Sequence, residues 1–158
     1  CGSQALALLN AVFDQNRQVS QAFSAKITET GEAARRMNEL LSAQKYRMAG
    51  LEKRVFAGIA ESYGNRGNVL HFEEGLSADG VRELADAIAD KCGGTAAVFS
   101  GSDGGYAYCL IARQGDLRQL GRDMTAALHG RGGGKPLCQQ GRVQAAKEEI
   151  EAFFADRQ

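Results

Sequence analysis

Three consecutive glycines, Gly132-Gly133-Gly134, run through Lys135 into the chain's single proline, with Arg131 in front and Gln140-Gly141-Arg142 shortly behind. A glycine costs roughly 0.5–1 kcal/mol relative to alanine inside a helix or strand. The run therefore predicts neither helix nor ordinary strand but a bend, with left-handed backbone or with main-chain amides kept uncovered because something approaches them. A helix cap followed by a wide turn is the purely structural account, and it needs one glycine or two; the third tips the expectation toward binding. Arg131, Lys135 and Arg142 would set positive charge beside the open amides, and Arg118 and Arg122, one helical turn apart, would extend that surface. Such a constellation suits phosphate.

Around that run, periodicity divides the chain into two regions. Ala5, Leu9, Val12, Asn16, Val19 and Phe23 recur at alternating spacings of four and three, an apolar seam with one polar interruption on a helix from about Ser3 to Ala25. After a break around residues 28–31, Met37, Leu41, Gln44, Met48, Leu51 and Val55 repeat the spacing up to a helix end near Tyr63-Gly64-Asn65. Two such seams joined by a short turn predict an antiparallel helical hairpin over residues 1–64, coiled-coil-like and suited to dimerisation. Gly64-Asn65-Arg66-Gly67 reads as a joint.

Over residues 68–158 the rhythm shortens. A strand at 68–72 is followed by a helix to Cys92 capped by Ser77, a strand at 95–100, the turn Ser102-Asp103-Gly104-Gly105 and a returning strand at 106–112. Asp116 then opens a helix reaching His129, the glycine bend follows, and a strand from Cys138 to Val143 precedes a closing helix at 145–157. The fold class that follows is α/β: an N-terminal helical hairpin, then a small mixed-sheet domain with helices on at least one face.

With 19 basic and 19 acidic residues the total charge is uninformative, whereas its distribution is not: residues 1–67 carry net +3, residues 68–158 net −3, and the stretch from Arg113 to Arg142 net +4. The glycine run thus lies in the basic part of an acidic region. Cys1, Cys92, Cys109 and Cys138 lack CxxC spacing and only His71 and His129 accompany them, so no zinc site is expected, and scattered thiols suit a reducing cytosol. No apolar run approaches the roughly 18–20 residues that span a bilayer. A first residue that is not methionine marks a processed chain or a fragment. Cys-Gly-Ser would also begin a mature lipoprotein, but Leu6, Leu8 and Leu9 already start an amphipathic helix where a polar tether is expected.

Catalytic groups do not assemble along the sequence. His71, beside Phe72 on a strand, reads as a hydrogen-bonded structural histidine, and His129 as a helix-end group favoured by the dipole. Glu73-Glu74 and Glu148-Glu149-Glu151 read as solvated acids. Pro136 after Lys135 rules out the ending of a nucleotide P-loop. Tyr106 and Tyr108 share one strand face and suit the core before they suit stacking on a base.

Gly132-Gly133-Gly134-Lys135-Pro136 with Gln140-Gly141 resembles the signature of the DHH-associated domain, which closes DHH phosphoesterases and forms the C-terminal part of alanyl-tRNA synthetases and of the longer alanyl-tRNA editing proteins. Cys1-Gly2-Ser3-Gln4-Ala5-Leu6 is similar to the junction at which their editing domain ends. The resemblance implies a cytoplasmic, tRNA-facing accessory module, homodimeric through the hairpin or the globular part, that assists deacylation of mischarged tRNA by an editing domain absent from this chain. Zinc would belong to that absent domain, and no cofactor or deacylase activity is expected of this part alone. Gly132, Gly133, Gly134, Lys135, Pro136, Gln140 and Gly141 fall on the family motif. Leu137, Cys138 and Gln139 depart from the Glu-Met-Ala of many members. Two other readings stand beside this one: a helical dimerisation module with a structural glycine loop, and the substrate-binding lobe of a DHH phosphoesterase, against which the helical hairpin speaks.

Overall fold

The computed structural model describes residues 2–155; Cys1 and the end of the expected closing helix lie outside the described residues. Two compact units form, residues 1–50 and residues 51–158.

In the first unit, α1 (Gly2–Ala22) leads through a turn of 3-10 helix (Ile27–Glu29) into α2 (Thr30–Glu61). Ser24 turns the chain in left-handed conformation, φ 48, and the Thr30 hydroxyl donates to the Ile27 carbonyl at 3.0 Å. Only residues near the turn, among them Val19, Phe23, Ala33 and Ala34, are half-buried. Leu6, Leu9, Val12, Met37, Leu41 and Met48 stay exposed, so the two seams leave most of their apolar surface open.

The second unit begins inside α2. The sequence placed the joint at Gly64–Gly67, yet Phe56 and Ala60 are buried in the core of the sheet domain, so the last turns of α2 belong to it by packing. Its sheet has five strands, β1 (Gly67–Glu73), β2 (Gly93–Ser102), β3 (Gly105–Ala112), β4 (Arg131–Lys135) and β5 (Cys138–Val143), in the order β1-β2-β3-β5-β4. β1 runs parallel to β2, joined to it by the crossover helix α3 (Ala78–Cys92). The other pairings are antiparallel.

Strand alternation sends side chains to two opposite cores. On one face Val69, Ala96, Val98, Cys109 and Ile111 meet α3, whose buried positions Val81, Leu84, Ala85, Ile88, Ala89 and Cys92 follow helical spacing. The Ser77 hydroxyl accepts the Gly80 N–H at 3.1 Å, and Gly93, φ 76, ends the helix. On the other face Ala97, Phe99, Tyr106, Tyr108, Leu110 and Val143 meet Met124 and Leu128 at α4 (Arg118–Ala127) and Ile150 and Phe153 of α5 (Lys147–Ala155). Each fully buried Leu, Ile or Phe contributes about 1.5–3 kcal/mol.

The glycine run corrects the sequence reading. Instead of a bend it is β4, an edge strand paired to β5 through a tight turn at Pro136-Leu137. A central strand of glycines would forfeit side-chain packing on both faces. At an edge only one side of the strand has to pair, and here packing demands that side chains be missing: a Cβ on Gly132 would stand 2.5 Å from the Gln140 carbonyl oxygen, and closer still to the Tyr108 hydroxyl.

Candidate functional site

Register decides which residues of the glycine hairpin meet. Arg131 lies directly across from Arg142, Gly133 from Gln140 and Lys135 from Cys138, so by alternation these six share the face on which α3 lies. α3 covers β1 to β3 but leaves the β4–β5 end open. There a cleft of about 800 Å3 is lined by Ala78, Asp79 and Val81 at the start of α3 and by His129, Arg131, Gln140 and Arg142. All five residues of β4 are exposed, and a Cβ on Gly133 would meet nothing within 4 Å.

The hairpin cations are unpaired, although Asp79 lines the same cleft. Among the described residues Arg131, Lys135 and Arg142 make no ion pair and no side-chain hydrogen bond. Like charges directly opposite on an antiparallel pair destabilise it, and an edge strand turns half its amide groups away from the ladder. Outside the ladder the amides of Gly132, Gly133 and Gly134 donate to no other backbone group among the described residues. Cations in register along an open amide edge can receive successive anionic oxygens.

The other row of the hairpin is structural. Phe99, Tyr108, Gly141 and Gly132 lie in line across four strands. The Tyr108 ring, 2% exposed, extends over Gly141, and its hydroxyl ends at Gly132. A Cβ on Gly141 would stand 2.5 Å from the Gly132 Cα. Gly121 of α4 faces the Gln139 side chain, which is buried and donates to the Lys135 carbonyl at 2.6 Å. Of the motif glycines, Gly132, Gly134 and Gly141 are required by packing, and Gly133 is the one whose Cβ position is open.

The remaining site candidates divide. Arg118 and Arg122 sit on α4, across the sheet from the cleft, and are occupied: Arg118 binds Asp116 through Nε at 3.0 Å and Nη2 at 2.6 Å, and Arg122 donates to Gln119 at 2.8 Å. The Arg118 side chain and its backbone N–H hold the Asp116 carboxyl down at about 2. The structure therefore does not bring Arg118 and Arg122 together with the hairpin cations. His129 ends α4 in left-handed conformation, φ 49, and also lines the cleft. His71 is the structural histidine expected, bonded to the Tyr63 hydroxyl at 2.9 Å. Tyr106 and Tyr108 are both core residues rather than stacking platforms. Cys109 and Cys138 face each other at 4.0 Å, and burial, followed by Cys138, pushes the Cys109 thiol up. Among the described residues no cluster of three or more His, Cys, Asp and Glu side chains is placed to hold a metal ion, and no helix is long and apolar enough to cross a membrane.

Sequence reasoning missed that β4 is a strand and that the start of α3 walls the cleft. The first left a signal: Arg131-x-Gly133-x-Lys135 and Gln140-x-Arg142 already alternate with a period of two.

Taken together, these features define a small mixed-sheet α/β domain with a cationic edge hairpin. Residues 65–156 match the DHHA1 domain family, and the chain belongs to it. Its fold is also similar to the C-Ala domain of alanyl-tRNA synthetase from Aquifex aeolicus, at 19% identity and TM-score 0.45, covering 52% of this chain and 85% of that one. No curated protein gives a significant match.

Proposed function

We propose that this chain is a nucleic-acid-binding accessory domain whose β4–β5 hairpin holds the phosphates of a tRNA, within an alanyl-tRNA editing or synthetase-related protein whose zinc-bearing editing domain supplies the deacylation chemistry. The observation that carries this reading is the Arg131–Arg142 pair directly opposed across the hairpin without an acidic partner, beside the open backbone of Gly133. A polyanion relieves that repulsion, and backbone phosphates position an RNA without reading its bases. Membership of the DHHA1 family supports the same reading.

Filter binding of unfractionated tRNA against salt tests it. Three phosphate contacts give a slope of about −2 to −3 in log affinity against log salt, at roughly 0.7–0.9 per contact. Arg131→Glu and Lys135→Glu weaken binding and flatten the slope; unchanged affinity in both refutes the reading. The exposed apolar seams of α1 and α2 support a second element, self-association through the helices. Sedimentation equilibrium then shows a dimer that Leu9→Glu with Leu41→Glu dissociates, and a monomer at all concentrations removes that element alone.

A further inference from the structure

The alternation that sorts the glycine run continues one step upstream of it. Leu128 is buried in the core on the α4 side, and a Cβ on Gly130 would stand 2.7 Å from both the Arg142 carbonyl oxygen and Val143 Cγ1. These two positions therefore belong to the packed row with Gly132 and Gly134. The Gln144 N–H donates to the Leu128 carbonyl at 3.1 Å, which carries the pairing of the hairpin past Arg131. His129, between them, falls on the other row with Arg131, Gly133 and Lys135, and it lines the cleft beside Arg131 and Arg142. Ending α4 does not call for an imidazole: the backbone there is left-handed, φ 49, which a glycine adopts without cost. The side chain is exposed, and among the described residues its ring enters no hydrogen bond or ion pair, whereas His71 has both.

We propose that His129 is a further phosphate-binding residue of the hairpin, and the one that makes its hold on RNA depend on pH. As the imidazolium it donates to a phosphodiester oxygen next to those held by Arg131 and Arg142. A histidine exchanges its proton within about pH 5–8. The charged groups that line the cleft with it are Arg131 on β4, Arg142 on β5 and Asp79 on α3; the two guanidinium groups oppose protonation of the ring and the carboxylate favours it. An RNA phosphate brought into contact adds negative charge, so binding and proton uptake favour each other and affinity rises as pH falls. The assignment rests on the reading of the hairpin as the RNA-binding face.

Filter binding of tRNA to the full chain at pH 8 and at pH 6 is the test. Affinity is expected to be about five-fold higher at pH 6, which is what one unit of proton linkage on an ordinary histidine gives between those values, with the salt slope steeper by roughly 0.7–0.9 for the added contact. His129→Asn keeps a residue that tolerates left-handed backbone; it is expected to fold like the wild type and to bind at both pH values as the wild type does at pH 8. Equal wild-type affinity at the two pH values, or a pH dependence that persists in His129→Asn, overturns the assignment while leaving the hairpin reading intact, because Arg131→Glu would still weaken binding. A wild-type chain that binds tRNA at neither pH overturns both. A histidine kept only to end α4 would make stability, and not affinity, follow pH. As a second measurement, NMR follows the ring Cε1–H signals of the two histidines at pH 6.5: tRNA moves that of His129 toward the protonated position and leaves that of His71, and an unmoved His129 signal refutes the contact.

Discussion

Alanine substitutions at Gly132 and Gly133 separate the two roles that adjacent glycines play. At Gly132 the new methyl would lie 2.5 Å from the Gln140 carbonyl oxygen and nearer still to the Tyr108 hydroxyl. Neither obstacle yields easily, since one is backbone locked into the β4–β5 ladder and the other is the end of a rigid ring buried against Phe99. Overpacking of this kind costs about 1–3 kcal/mol, and with a backbone atom in the way the upper half of that range applies. At Gly133 the methyl meets nothing within 4 Å, the strand conformation suits alanine, and the restricted unfolded chain returns about 0.4–1 kcal/mol. For a domain of this size 1 kcal/mol moves the melting temperature by roughly 4–8 °C. Gly132→Ala is thus expected to melt about 8–24 °C below wild type, and Gly133→Ala at or a few degrees above it. Scanning calorimetry reads both. Binding should invert the order for Gly133→Ala, which folds well but places a methyl where the ligand approaches, so its tRNA affinity falls in the filter assay. Equal destabilisation by the two substitutions, or a less stable Gly133→Ala, would refute the assignment of structural and contact glycines.

Further expectations concern the rest of the chain. Arg118→Ala lowers tRNA affinity far less than Arg142→Ala in the same assay, because Arg118 is tied to Asp116 across the sheet from the cleft. In a carboxyl NMR titration Asp116 titrates near pH 2, and Arg118→Ala raises it part of the way toward the ordinary value of about 3.9, because the backbone N–H of residue 118 still donates to the carboxylate. Since the folded-state value is the depressed one, the stabilisation this pair provides is present above about pH 4 and fades toward pH 2, and it is small because both groups are exposed. Phe56→Ala lowers the stability of the sheet unit by about 3–4 kcal/mol in urea unfolding, as expected if the end of α2 belongs to that core; no loss would return the boundary to Gly64–Gly67. Under native conditions Cys138 reacts with a thiol reagent before Cys109, which is buried and resists ionisation, and the reverse order would contradict the packing of β3.

Much of this architecture was legible in the residues themselves. The helical spacing from Ala5 to Val55, Ser77 as a cap, the Asp103-Gly104 turn between β2 and β3, and the strand from Cys138 to Val143 all rest on local rules of side-chain periodicity and turn chemistry that act over a few residues. So does the concentration of cations around the glycine motif. What local rules cannot supply is pairing. Glycine is penalised in a strand only on average, and whether Gly132-Gly133-Gly134 bends or extends depends on a tyrosine more than twenty residues upstream whose ring needs the space that missing side chains provide. Register then sets Arg131 against Arg142 on one face and leaves Arg118 and Arg122 on the other, a division that follows from the alternation of the sheet and from the side on which α4 packs. The chain's own spelling therefore determined its elements and the chemistry available to them, while tertiary packing decided which glycine is structural, which is open and which arginines share a face.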